Sequence, residues 1–255
     1  RMEHTSPVVA RFRPIGLAEM DAVRLQDRVD TKYVFPAERL DTVLEELLPH
    51  YRVLEVDGVR GTDYRSLYYD TEDLRSFHDH HNGRVRRSKV RYREYLGSGL
   101  CFLEVKRKTG RGRTDKVRRQ VDAIPERMPE DHASYVREAS GSDLPMHPTL
   151  WNSFTRLTLV REDRPERLTL DLGLRFHAPG TPPGDAVELG GLVVAEVKQA
   201  RADRTSPFVR AMRRMGRRPG GMSKYCVGML TLHPGLKYNN FKPVLRDLER
   251  TRNAA

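Results

Sequence analysis

Residues 84–119 read RVRRSKVRYREYLGSGLCFLEVKRKTGRGRTDKVRR, and the spacing within this stretch decides the fold. With a period of two, Arg87, Lys89, Arg91, Arg93 and Tyr95 share one side of the first run, opposite Val90, Tyr92 and Leu96. After Gly97-Ser98-Gly99, Phe102, Glu104, Lys106 and Lys108 fall together, opposite Cys101, Leu103 and Val105. Strict alternation marks strands, and the Gly-Ser-Gly between the runs predicts a hairpin. Thr114–Val121 continues as a third basic strand with Lys116 and Arg118 on one face. The polar face is thus a ladder of cations broken by one carboxylate. Like charges side by side on a sheet repel, so the ladder calls for an anion to offset it.

The same alternation recurs outward from this centre. Arg28–Phe35 reads as a strand with Asp30, Lys32 and Val34 opposite Tyr33 and Phe35. Tyr51–Val56 and Tyr64–Asp70 follow as strands, and Trp151–Arg161 carries Arg161 on the face of Leu157 and Leu159. Arg167–Leu172 sets Arg167, Thr169 and Asp171 against the leucines, and Leu192–Lys198 makes Glu196 and Lys198 neighbours on one face. Helical spacing is predicted over 17–20, 37–49, 71–81 with Thr71 as cap, part of 122–150, 207–215, and 223–232 with Ser223 as cap. Residues 178–190 form a Pro/Gly loop. If the apolar faces pack outward against helices, the ionic faces look into a closed space. On these residues alone the expected class is α+β, and a small antiparallel β-barrel with a charged lumen and flanking helices is one arrangement that satisfies it, less common than an open sheet. The alternative is a twisted sheet with its ionic face in water.

The chain has 255 residues, 32% of them charged, and a formal net charge of +11, which favours anionic partners. Nucleic acid ranks last among them, because the cations alternate along strands and no aromatic stacking ladder accompanies them. The two cysteines, Cys101 and Cys226, form no spacing motif and read as free thiols of a reducing cytoplasm. No apolar run approaches the roughly 18 residues of a membrane span, and no signal-peptide pattern is present. The expected location is cytoplasmic, with the basic tail able to hold the protein at the inner membrane face. His78, His80 and His81 suggest a metal site, but no carboxylate is positioned to complete it, and the plainer reading is a helix end near the tunnel mouth.

Several elements occur in a telling order: Arg28-x-x-x-Lys32-Tyr33, Leu67-Tyr68-Tyr69-Asp70-Thr71, Lys89-Val90-Arg91-Tyr92-Arg93-x-Tyr95, Glu104-Val105-Lys106-x-Lys108, Leu170-Asp171, Glu196-Val197-Lys198 and Ser223-Lys224-Tyr225. Together they resemble the VTC domain, the catalytic domain of the vacuolar transporter chaperone polyphosphate polymerase, in its bacterial form. That family belongs to the triphosphate tunnel metalloenzymes, relatives of the CYTH phosphatases. The resemblance covers residues 24–232, leaving 1–23 as an N-terminal segment and 233–255 as a basic tail with Lys237, Lys242, Arg246, Arg250 and Arg252.

The resemblance implies an eight-stranded antiparallel tunnel that transfers the terminal phosphoryl group of ATP to inorganic polyphosphate. It implies Lys32, Arg91, Arg93, Lys106, Arg161, Arg167, Lys198 and Lys224 as catalytic cations, with Lys89, Lys108 and Lys116 as further phosphate ligands. Glu196 matches the metal-binding glutamate, with Glu104 or Asp171 near by, for Mn2+ or Mg2+. Arginine forks suit bidentate phosphate contacts and lysines act as point charges. Hydrolytic relatives carry E-x-E-x-K in the first strand, where Arg28-Val29-Asp30-Thr31-Lys32 stands here with one acid. A polymerase is therefore favoured over a hydrolase of inorganic triphosphate or nucleoside triphosphate, and over a non-catalytic polyphosphate-binding subunit. Neither a phosphoinositide-binding SPX domain nor a membrane segment is read in these residues, so product export is expected to need a separate membrane partner.

Overall fold

The computed structural model describes residues 6–22, 25, 28–236 and 238–253. Lys237 and the expected boundary at 23–24 lie outside them. The chain runs β1 (Arg13–Ile15), α1 (Leu17–Asp21), β2 (Val29–Pro36), α2 (Leu40–Leu47), β3 (Tyr51–Leu54), β4 (Gly61–Asp70), α3 (Arg75–His81), β5 (Arg87–Tyr95), β6 (Cys101–Lys108) and β7 (Thr114–Val121). It continues through α4 (Glu130–Ser140), β8 (His147–Arg161), β9 (Glu166–His177), β10 (Val187–Leu189), β11 (Leu192–Gln199), α5 (Pro207–Arg214), α6 (Lys224–Leu232) and α7 (Lys242–Asn253). Eight strands lie in the order β2-β11-β9-β8-β4-β5-β6-β7. Every neighbouring pair is antiparallel. Among the described residues the end strands β2 and β7 do not pair with each other. No helix among them is long and apolar enough to cross a membrane.

Three elements differ from the sequence reading for local reasons. β8 starts at His147 rather than Trp151, because Leu150 is fully buried and pairs with Tyr68. β9 runs on to His177 past Gly173, whose φ of 62° fits a bulge; the register shifts there, which keeps Leu174 and Phe176 on the face of Asp171. Helix α3 begins at Arg75, after Leu74 in the left-handed conformation. Its first amides are capped from Asp70, which accepts from Ser76 and Phe77, while Thr71 Oγ1 accepts from Arg75.

The apolar faces assigned by alternation do pack outward. Tyr33, Phe35, Leu168, Leu170, Val193 and Val197 meet Val43, Leu44 and Leu47 of α2 and Phe208 and Met212 of α5. Val90, Tyr92, Leu103 and Val105 lie under Val136 of α4. The inner face divides in two. One part is apolar, with Val34, Leu150, Phe154, Leu174, Phe176 and Val194, and it is filled by α6 together with Phe77 of α3 and Leu248 of α7. The other part carries the charges.

Helix α6 is buried from Tyr225 through Leu230, as expected of a helix that is apolar all round. Ser223 starts it by accepting the Cys226 amide. Gly228 faces the sheet so closely that a Cβ there would stand 2.6 Å from side-chain atoms of both Leu150 and Phe176. Replacing an exposed helical glycine by alanine normally gains about 1 kcal/mol. Here the extra methyl overpacks the interior, so Gly228→Ala should cost about 1–3 kcal/mol, read as a lowered thermal midpoint; an unchanged or raised midpoint would show that α6 packs less tightly than described.

Candidate functional site: a basic lumen

The inner face brings together cations from seven strands and one helix. Alternation places Lys32 of β2, Glu196 and Lys198 of β11, and Arg167 and Asp171 of β9 on this side. Lys89, Arg91 and Arg93 of β5 face Lys106, Glu104 and Phe102 of β6 in register, and Lys106 faces Lys116 of β7. Lys108 ends β6 at the rim, opposite Arg87. Lys106 feels the charges of Lys32 and Glu196, which sit at the far end of the strand order. The sheet is therefore curled until its two ends look at each other across a basic space. Lys89 closes the circle by donating from Nζ to Ser223 Oγ at 3.0 Å.

Two buried ion clusters anchor the wall. Asp171, 2% exposed, accepts both arms of Arg156 at 2.7 and 2.9 Å and Lys224 Nζ at 2.6 Å. Glu104, 3% exposed, accepts Arg91 Nε at 2.9 Å, with Lys116 at 3.4 Å and Arg93 at 3.6 Å. Burial works against ionisation of both acids. Lys224 and Arg156 nevertheless hold the Asp171 carboxyl well below the usual range, and Arg91, Arg93 and Lys116 hold Glu104 at about 2. Burial pushes the Lys89 ammonium down to about 8, helped by Lys106 and Lys32. Burial also lowers Arg93, to about 10, with Arg91 and Arg156 repelling it. Burial raises the Tyr68 phenol, but Arg91, Arg93, Lys224 and Lys89 outweigh it and bring the group to about 8. Among the described residues the cations of this face outnumber its acids, so the surplus remains for a ligand.

Arg161 is not part of this wall. It shares the outer face of Leu157 and Leu159, where its guanidinium donates to Asp163 at 2.6 Å and Asp203 at 2.9 Å, with Glu166 at 3.6 Å. That cluster also ties Tyr51, Ser206 and Gln199 to Glu166. The expectation that Arg161 binds phosphate is corrected: three carboxylates leave it no free fork. The lumenal arginine of β8 is Arg156, which sequence reasoning missed. Period two places it opposite Leu157 and Leu159, which was the available signal. Asn152 was also missed; it is 1% exposed on the same side as Leu150 and Phe154, and neither amide atom has a hydrogen-bond partner.

The metal expectations are revised as well. Among the described residues no three His, Cys, Asp or Glu side chains converge on a common point. Glu104 and Asp171 are buried and engaged by cations, which compete with a metal ion for their oxygens. Glu196 differs: its side chain is 27% exposed, with Lys198 at 3.2 Å. One open carboxylate fits the magnesium mode in which one or two acids share the ion with substrate phosphates and water. His80 and His81 instead dock the segment after α6, with Phe241 against both rings and the Asn240 amide donating to His81 Nε2. Cys101 and Cys226 are free and buried.

A carboxyl whose pKa is depressed in the folded state stabilises the fold above its unfolded value, and that contribution disappears as pH falls toward the folded value. For Glu104 the window runs from about 4.5 down to about 2. Glu104→Gln should be less stable than the parent at pH 7, on the order of 3 kcal/mol, and the gap should close as pH falls from 5 to 2. A constant gap in denaturant titrations across that range would mean that the Glu104 charge contributes nothing.

Residues 27–233 match the VTC domain family. No curated protein sequence matches the chain. Among solved structures, an adenylyl-cyclase-like protein from Hippeastrum, described as having a dominant triphosphatase activity, is 15% identical with a TM-score of 0.50, covering 84% of this chain and 98% of that one. An adenylate-cyclase-like protein from Bacillus halodurans is 14% identical with a TM-score of 0.48, covering 77% and 94%. With a matched segment running from before β2 to the end of α6, the chain belongs to the VTC domain family.

Proposed function

We propose that the lumen is a polyphosphate polymerase site, which moves the terminal phosphoryl group of ATP onto the end of a growing inorganic polyphosphate chain. The observation that carries this reading is the state of the lumenal acids. Glu104 and Asp171 are locked to cations and held strongly ionised, so neither is suited to take a proton from water. An anionic chain end needs no proton removed, whereas water does. In the transfer, the bond from the β–γ bridging oxygen to the γ phosphorus breaks, a terminal chain oxygen bonds to that phosphorus, and ADP departs. Charge spreads over the equatorial oxygens, where Arg91, Arg93, Arg156 and the ammonium groups of Lys32, Lys106 and Lys198 offer fixed countercharge. A divalent ion, when bound at Glu196 and the phosphates, supplies further cancellation of charge.

A tunnel hydrolase is the second reading, favoured by the one partly open acid, Glu196, which could serve a water molecule. Incubation of the full chain with ATP and Mn2+ or Mg2+, followed by gel analysis for long phosphate chains and assay of free phosphate, separates the two. Long chains that are lost in Glu196→Gln support the polymerase; free phosphate without chains replaces it with the hydrolase.

Lys89 adds a dependence on pH. Its ammonium titrates near 8 in the free lumen, and a bound triphosphate restores its charge. Binding above that pH therefore takes up a proton, and affinity should fall as pH rises from 8 to 10. Calorimetry in two buffers of different ionisation heat measures the uptake, and equal heats throughout that range would remove Lys89 from the binding set.

A further inference from the structure

The basic ladder of β5 does not stop at the lumen. At its amino-terminal end lies a separate cavity of about 210 Å³, bounded by α3, the adjoining ends of β5 and β6, and the turn after α4. Arg75, Arg86, Arg87, Arg107 and Lys108 all line it. Among the described residues none of these five has a carboxylate within 4.0 Å. The one acid in the lining, Asp79, lies 3.5 Å from Arg84 instead. Five cations around so small a space repel one another, and Asp79 is the one acid among the lining residues to offset them.

Two of the arginines also lie close against glycines. The Arg107 guanidinium lies 3.0–3.2 Å from where a Cβ of Gly141 would stand. Gly141 ends α4 with φ 69°, so both its conformation and its bareness keep room for that group. Arg86 Nε lies 3.3 Å from the corresponding point at Gly110. The missing side chains at Gly141 and Gly110 leave the room in which these two guanidinium groups stand at the cavity wall. Hydroxyl donors complete the lining: Ser88, Ser140 and Ser142, of which Ser140 is 8% exposed and accepts the Ser142 amide. Arg107 alternates with Lys106 and so lies on the other side of β6 from the lumen, while Arg75 belongs to α3. The cavity is thus a rim site outside the tunnel, joined to it through Arg87 and Lys108.

We propose that this cleft is a second anion site, outside the tunnel, that takes a condensed-phosphate group of two or three phosphates. A single orthophosphate would leave most of the five cations uncompensated, whereas a di- or triphosphate presents several anionic oxygens to the arginine forks. Such a group is carried both by inorganic polyphosphate and by nucleotides, and the two are separated by the ligand used.

The test is calorimetric titration of the full chain with tripolyphosphate, ATP and orthophosphate in turn, at constant ionic strength. Tripolyphosphate should show two sites. The double variant Arg75→Gln/Arg107→Gln should lose one, or weaken it at least tenfold, while ATP turnover at saturating ATP is unchanged. Conversely, Lys32→Gln/Lys106→Gln should weaken the other site and leave the rim site intact. ATP binding at the rim would assign a nucleotide, and tripolyphosphate binding without ATP a free chain. Because both exchanged arginines are exposed, folding of the double variant is readily confirmed by circular dichroism, and Gly141→Val, which displaces Arg107, gives an independent check on the same site. One site that responds only to Lys32 and Lys106, or a rim site that prefers orthophosphate, overturns the proposal. Absence of turnover in every protein would instead count against the polymerase reading, since the rim site is read from binding alone.

Discussion

The structure rests on the neutralisation of a few buried acids by more cations than they need. Without Asp171 and Glu104, the guanidinium and ammonium groups of the inner face would face one another bare in a space of low dielectric, and the lysines would shed protons. With them, Arg156 and Lys224 are pinned to one acid, and Arg91, Arg93 and Lys116 gather about the other. Buried ion pairs contribute little net stability compared with apolar replacements of the same shape. Their value here is positional. Each acid holds its arginine and lysine partners on the inner face, so countercharge is in place before an anion arrives.

Helix α6 joins this electrostatic arrangement to the packing. Its first residue, Lys224, reaches Asp171 and lies 4.4 Å from the centre of the Phe154 ring. Its remaining residues fill the apolar half of the curled sheet. Arg156 and Arg93 likewise lie over Tyr64 and Phe154. The boundary between apolar filling and charged lumen is therefore an aromatic layer whose faces attract the cations on one side and whose edges pack on the other. A helix less closely seated would move the ammonium of Lys224 away from the acid that holds it.

Much of this was legible in the sequence, because alternation is a property of single strands and survives without knowledge of their partners. The basic ladder of β5 and β6 and the outward apolar faces follow from it, and the Ser223 cap follows from helical spacing. What alternation alone did not decide was which face of each strand turns inward when family likeness pulls the other way. Arg161 matched a pattern of paired arginines, yet its parity with Leu157 and Leu159 carries it outside, and Arg156 takes the lumenal place. The metal reading strayed for a related reason. Acids at the right positions were visible, but which cation each would meet depends on pairing across strands distant in sequence, as with Arg156 and Asp171 or Lys224 and Asp171. The left-handed start of α3 at Leu74 and its capping by Asp70 depend on tertiary contacts too, since Tyr225 donates to the same carboxylate at 2.7 Å.

Strand β7 ends the sheet and pairs only with β6 among the described strands; all but its last residue are exposed. A free strand edge is a template for another chain, and proteins guard such edges with charge. Here the guards are Lys116, Arg118 and Arg119. Lys116 is shared with Glu104 and Arg119 with Asp131, so their protection rests on the positive charge that these acids leave over. An anionic polymer lying across them would cancel the repulsion that keeps two copies apart, so the same few side chains would set both how this edge meets another chain and how it meets a polyanion.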